Sequence, residues 1–330
     1  MTNILKYTTF VVMVLGRVAA LSQPVTYPTS FTVAADGSGN YRTIQEAVNA
    51  VRDLSQQQVT IHIKKGVYHE KLVIPSWKTM IKLEGESRDS TIITWEDYSG
   101  KANPGGKDAF GKDKFTTYTS YTVLVTGNDF SAENLTIVNA SGRVGQAVAL
   151  HVEGDRCVVS NCKLLGNQDT LYAGTEGSRQ YYKDCFIEGT TDFIFGEAIV
   201  VFNRCVLRSL INSYLTAAAT TPRQGYGFVF LDCRLEADTA ARRVFLGRPW
   251  RPYAKTVYLR TDMGKQIAEA GWDNWRNPEN EKTAFYAEYE SRGAGGVVDK
   301  RASWSHQLNA KEAKQYTVEN ILGEWVKKYE

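Results

Sequence analysis

Two aspartates stand 23 residues apart in similar surroundings, in Gln168-Asp169-Thr170-Leu171-Tyr172 and Asp192-Phe193-Ile194-Phe195-Gly196. A third polar position, Gln146 in Gln146-Ala147-Val148-Ala149-Leu150, precedes Gln168 by 22 residues. An isolated aspartate among apolar residues most simply caps a strand end. Two at a repeat spacing, accompanied by two glutamines, point to chemistry. If that spacing is one turn of a coil, the carboxylates lie on neighbouring rungs about 4.8 Å apart. Two carboxylates so close resist ionising together, which raises the pKa of one. The pair then offers an acid and a base or nucleophile at the same pH. A fourth cluster, Leu246-Gly247-Arg248-Pro249-Trp250, carries a guanidinium suited to bidentate pairing with a carboxylate. Gly247 and Pro249 predict a fixed turn that aims Arg248 and Trp250 inward.

The cysteines indicate what positions these clusters. Cys162, Cys185, Cys205 and Cys233 each follow a polar residue and precede, two residues on, a branched aliphatic, at intervals of 23, 20 and 28 residues. Glu133-Asn134-Leu135-Thr136-Ile137 reads as the preceding copy, with Asn134 in the cysteine place. A period in the twenties with short strands is the mark of a solenoid. Alternating strands are expected at Val59–Ile63, Thr122–Val125, Ala147–Val152, Phe193–Phe202, Tyr226–Phe230 and Thr256–Leu259. The fold expected is therefore all-β, a parallel β-helix in which the thiols form a buried ladder. Neighbouring coils are close enough for one disulfide, which stays open. Thr43-x-x-Glu46 is a capping box, followed by Ala47, Val48, Val51 and Leu54 on one face. It predicts an N-terminal cap helix. Asn309-x-x-Glu312 predicts a C-terminal helix over Asn309–Leu322, packed outside. The stretch from Tyr98 to Lys114 has no period and reads as a loop.

Residues 1–20 combine Lys6, an apolar run from Phe10 to Leu15, and small residues at Ala19 and Ala20. That pattern predicts a secretory signal peptide, leaving residues 21–330 as one secreted domain. Without Lys6 and Arg17 the net charge of +3 falls to +1. Neither value supports nucleic-acid binding. No segment has eighteen consecutive apolar residues, so no membrane span is expected. No Cys-x-x-Cys with a partner pair exists, so no metal site is expected. Asn134-Leu135-Thr136 and Asn139-Ala140-Ser141 are formal glycosylation sequons.

The segments Gly66-Val67-Tyr68-His69-Glu70, Gln146–Leu150, Gln168–Tyr172, Asp192–Gly196 and Leu246–Trp250 resemble, in order, the five signature blocks of pectin methylesterases. The similarity extends to Gly271-Trp272 and Tyr316-Thr317-Val318. The resemblance implies a right-handed parallel β-helix acting as a monomer on methyl-esterified homogalacturonan, with no cofactor. It makes Asp192 the nucleophile and Asp169 the general acid, later base. Gln146 and Gln168 become oxyanion donors, and Arg248 holds Asp192 and keeps it ionised. Trp250, Tyr172 and Phe195 match aromatic positions near the groove, and Thr117 matches a substrate contact. Tyr68 and Glu70 are expected to fix the first coils.

The chemistry needs no serine triad. No Gly-x-Ser-x-Gly elbow exists, and His151 on an alternating strand is expected to be structural. Three other readings compete. A glycosidase also uses two carboxylates, but tandem glutamines suit an oxyanion better than a sugar ring. A calcium-dependent lyase needs an acidic cluster with a basic residue. A non-catalytic pectin-binding β-helix would keep Trp250 without needing both aspartates and both glutamines.

Overall fold

The computed structural model describes residues 26–108 and 111–329. The expected signal peptide lies outside them. Three parallel sheets of 11, 7 and 8 strands wind as a right-handed β-helix. Successive coils add one strand to each sheet, as in the run Cys157–Ser160, Lys163–Leu165 and Leu171–Ala173. The expected strand Phe193–Phe202 divides into Ile194–Gly196 and Ile199–Asn203 around a corner.

The period comes from corners one residue long. Asn134, Asn161, Asp184, Arg204, Asp232 and Arg260 all have φ between 46° and 56°. Asn and Asp tolerate this left-handed region because their short side chains bond locally. The two arginines there are held by bidentate pairs, Arg204 to Asp184 and Arg260 to Asp232. Four of these corners, Asn161, Asp184, Arg204 and Asp232, are the polar residues that directly precede a cysteine. The register Lys163↔Thr136 places Asn134 opposite Asn161 and Leu135 opposite Cys162. Leu135, not Asn134, therefore occupies the cysteine place. An αL corner wants the asparagine and the buried site behind it wants the apolar residue.

All five cysteines are free and buried. Cys185, Cys205 and Cys233 each donate a thiol hydrogen to a carbonyl of the preceding coil, on Val159, Tyr182 and Phe202. Beside them Tyr182, Phe202, Phe230 and Tyr258 stack from coil to coil with centroids 5.0, 4.5 and 4.3 Å apart. In-register parallel pairing sets that spacing.

The cap helix forms over Ile44–Ala50, with both halves of the capping box made. Its first N–H groups also reach Glu70, whose Oε1 and Oε2 accept from Ile44 and Gln45 at 2.9 and 3.0 Å. The Tyr68 hydroxyl donates to the Lys64 carbonyl at 2.9 Å. This block thus ties the cap to the first coils. Leu54 falls beyond the helix and is exposed. At the other end the single expected helix is two, Ala310–Ala313 and Val318–Leu322. Thr317 accepts from the Asn320 N–H and restarts the chain as a second N-cap. Val318, Ile321 and Leu322 cover Val158, Tyr181, Val201 and Val229 on the outside of the largest sheet.

Asn139 is buried, and its amide nitrogen donates to the carbonyls of Asp97, Ser120 and Val148. With that nitrogen committed, Asn139 cannot serve as a glycan acceptor. Among the described residues no helix is long and apolar enough to cross a membrane.

Candidate active site

The seven-stranded sheet presents its outer face in rows. The register aligns His151, Tyr172, Phe195, Ala217 and Arg248 on consecutive strands. Three residues before the last four of these come Asp169, Asp192, Tyr214 and Phe245. Both aspartates take left-handed backbone, with φ of 66° and 49°. Strain of this kind persists only where the surroundings fix it. Here the strand ladder does so: the Asp169 N–H donates to the Thr191 carbonyl at 3.1 Å, and the Asp192 N–H to the Tyr214 carbonyl at 2.9 Å. Gln146 and Gln168 pair on adjacent coils beside them.

Arg248 grips Asp192 with two bonds, Nε to Oδ1 at 3.0 Å and Nη2 to Oδ2 at 2.6 Å. Its guanidinium lies between two rings, 4.0 Å from the Tyr214 centroid and 3.7 Å from that of Trp275. The expected turn is instead a strand, Phe245–Pro249, and Arg248 points to the outer face rather than inward. Gly247 is needed for close approach, since a Cβ there would stand 2.1 Å from Thr216 Oγ1. Pro249 is tolerated because this strand is the sheet edge.

A cleft of about 340 Å³ is lined by Thr117, Gln146, Gln168, Asp169, Asp192, Phe195, Arg248 and Trp250. Sequence reasoning named all eight. Tyr118, Ala217 and Trp275 complete the lining and were not anticipated. Tyr172 lines a neighbouring cleft instead, and its ring packs 4.8 Å from that of Phe195. The side-chain amides of Gln146 and Gln168 have no protein partner among the described residues, which leaves their donors for a ligand. His151 is buried under Tyr172 and bonds Glu153 at 2.9 Å, outside the cleft.

Burial sets the charge states. It raises the Asp169 carboxyl to about 8, helped by the negative charge of Asp192 and opposed by Arg248. Burial also raises Asp192, against the pull of Arg248. The expected stabilisation of Asp192 by Arg248 is present, but burial outweighs it, because a carboxylate 5% exposed loses much of its hydration. Asp169 carries the larger upward shift, having no guanidinium of its own. Of the two, Asp169 therefore holds its proton the more firmly, and Asp192, clamped by Arg248, gives its proton up first.

Two carboxylates on adjacent coils, one of them clamped by an arginine, thus border a cleft on the face of a parallel β-helix. The pectinesterase family model matches residues 30–324, and the chain belongs to that family. It is 36% identical over 284 residues to pectinesterase 31 of Arabidopsis thaliana, covering 85% of this chain and 88% of that one. Pectin methylesterase from carrot superposes with a TM-score of 0.82 at 34% identity, covering 93% of this chain and 97% of that one. A pectin methylesterase in complex with a hexasaccharide matches with a TM-score of 0.75 at 32% identity, covering 91% and 98%.

Proposed function

We infer that this chain hydrolyses the methyl esters of pectin, and that the cleft around Asp169 and Asp192 does the chemistry. Membership of the pectinesterase family makes the chain a carboxylic ester hydrolase. The observation that carries the mechanism is the placing of a buried carboxyl, Asp169, next to an arginine-clamped one, Asp192, on adjacent coils.

Asp192 attacks the ester carbonyl carbon through a lone pair not engaged by Arg248. The oxygen that gains charge receives N–H bonds from Gln146 and Gln168. As the tetrahedral species collapses, the C–O bond to the methoxy group breaks and Asp169 supplies the proton that releases methanol. An Asp192 anhydride remains. Asp169, now ionised, takes a proton from water as its oxygen attacks the acyl carbon. The second collapse frees the galacturonic acid, returns Asp192 as carboxylate and leaves Asp169 protonated. Phe195, Trp250 and Thr117 offer an aromatic wall and a hydroxyl to the sugar. The pattern of residues 1–20 supports export.

Gln168→Ala is expected to lower kcat by about 10²-fold or more with a smaller change in KM, because an oxyanion donor acts mainly in the transition state. A change confined to KM would make Gln168 a ground-state contact.

The pH profile carries a sign. Asp169 must be protonated, so kcat/KM falls as pH rises through the free-enzyme value of about 8. Asp192 must be ionised, so the rate also falls as pH drops through its own, less elevated value. The two limbs belong to the coupled pair. A profile flat to pH 10 would contradict Asp169 as the acid.

A further inference from the structure

Arg248 is held at one edge by Asp192 and on one face by Tyr214, both supplied by stacked coils. Its other face is covered by Trp275, which comes from the irregular segment after Gly271-Trp272. That segment has to deliver the ring without help from the strand ladder. Trp275 and Arg276 stand at φ of 61° and 55°. Two successive side-chain-bearing residues in the left-handed region are disfavoured, so bonds from outside must hold them.

Asp273 supplies the bond at Trp275. Its Oδ1 accepts from the Trp275 N–H at 2.7 Å, a turn that aspartate and asparagine make with the chain two residues on. Its own N–H donates to the Gly247 carbonyl at 3.2 Å, and Trp272 before it bridges Gly247 in parallel register. Gly247 directly precedes Arg248. One residue therefore ties the strand that carries the guanidinium to the ring that covers it. Further along, Asn274 Nδ2 donates to Glu281 at 2.7 Å, and the buried Asn280 donates to the Asn274 carbonyl at 3.1 Å. These bonds fix the course of the segment, and the Asp273 bond fixes how Trp275 leaves it. A guanidinium lies flat on an aromatic face, so the ring in turn sets the plane in which Arg248 meets both Asp192 oxygens.

We propose that Asp273 is a positioning residue: through Trp275 it sets the plane of Arg248 and so the aim of the Asp192 carboxylate. Asp273 itself is outside the cleft lining. The proposal rests on the pectinesterase reading and adds a residue that acts on the reaction without touching the substrate.

The test is a double-mutant cycle on methanol release from methylated pectin, with kcat and KM measured for each variant. Asp273→Ala lowers kcat about tenfold or more, the scale on which a small misplacement of a reacting group costs rate, with a smaller change in KM. Asp273→Asn keeps the oxygen that accepts the Trp275 N–H and stays within about threefold of wild type. In an Arg248→Lys background Asp273→Ala costs less than about twofold, because the planar group it acts on is gone. Four results overturn the positioning role: a wild-type kcat in Asp273→Ala, a loss confined to KM, a loss in Asp273→Asn as large as in Asp273→Ala, or an equal loss in both backgrounds. Failure of the wild-type enzyme to release methanol overturns the reaction itself, and the proposal with it.

Discussion

Replacing Asp192 with asparagine or alanine is expected to reduce methanol release by more than about 10⁴-fold, the scale on which other enzymes lose their nucleophile. Asparagine keeps the shape of the side chain but cannot form the anhydride. The fold should survive either change. Arg248 would lose its carboxylate partner but keep its place between Tyr214 and Trp275, and its side chain is 20% exposed, so its charge still reaches water. Circular dichroism should therefore show an intact β-helix. A variant retaining activity within about tenfold of wild type would have lost less than about 1.4 kcal/mol of barrier stabilisation. That result would remove Asp192 from the reaction.

Arg248→Lys is expected to be severely impaired, about 10²-fold or more in kcat, although the charge is kept. The fork that engages both Asp192 oxygens at 3.0 and 2.6 Å has no ammonium equivalent. An ammonium on a flexible stem also fills the slot between Tyr214 and Trp275 poorly, since both rings face a planar group at 4.0 and 3.7 Å. The two roles of the guanidinium separate in a pH profile. If it orients Asp192, the maximal rate falls while the acid limb moves little, because a positive charge still opposes the burial that raises this carboxyl. If it acts only through charge, which lysine keeps, the maximum and the acid limb both stay close to wild type, and that unchanged profile would overturn the orienting role.

What the sequence made legible follows from the solenoid's period. Asp169 and Asp192 share one row because their 23-residue spacing is one coil. The same argument reaches Tyr214, 22 residues beyond Asp192 and one coil on, so that ring had a signal in the sequence. Trp275 had none. It sits in an irregular loop with φ of 61°, its N–H held by Asp273 at 2.7 Å, and no repeat predicts where such a loop returns. The direction of Arg248 was also hidden. Gly and Pro near it suggest a turn, but they answer to a neighbouring threonine and a sheet edge, which appear only when the coils stack. At the C terminus the capping box marked the helix start correctly, and a second cap at Thr317 cut it short.

The most direct test of the ester chemistry is the product balance of the wild-type enzyme on highly methylated pectin. Methanol, new carboxylate, reducing ends and unsaturated ends are measured in one time course. An esterase acting through Asp192 and Asp169 releases methanol and carboxylate in equal amounts and creates neither kind of chain end. Reducing ends without methanol would assign the two carboxylates to glycosidic cleavage, and the oxyanion role of Gln146 and Gln168 would fall with the ester chemistry.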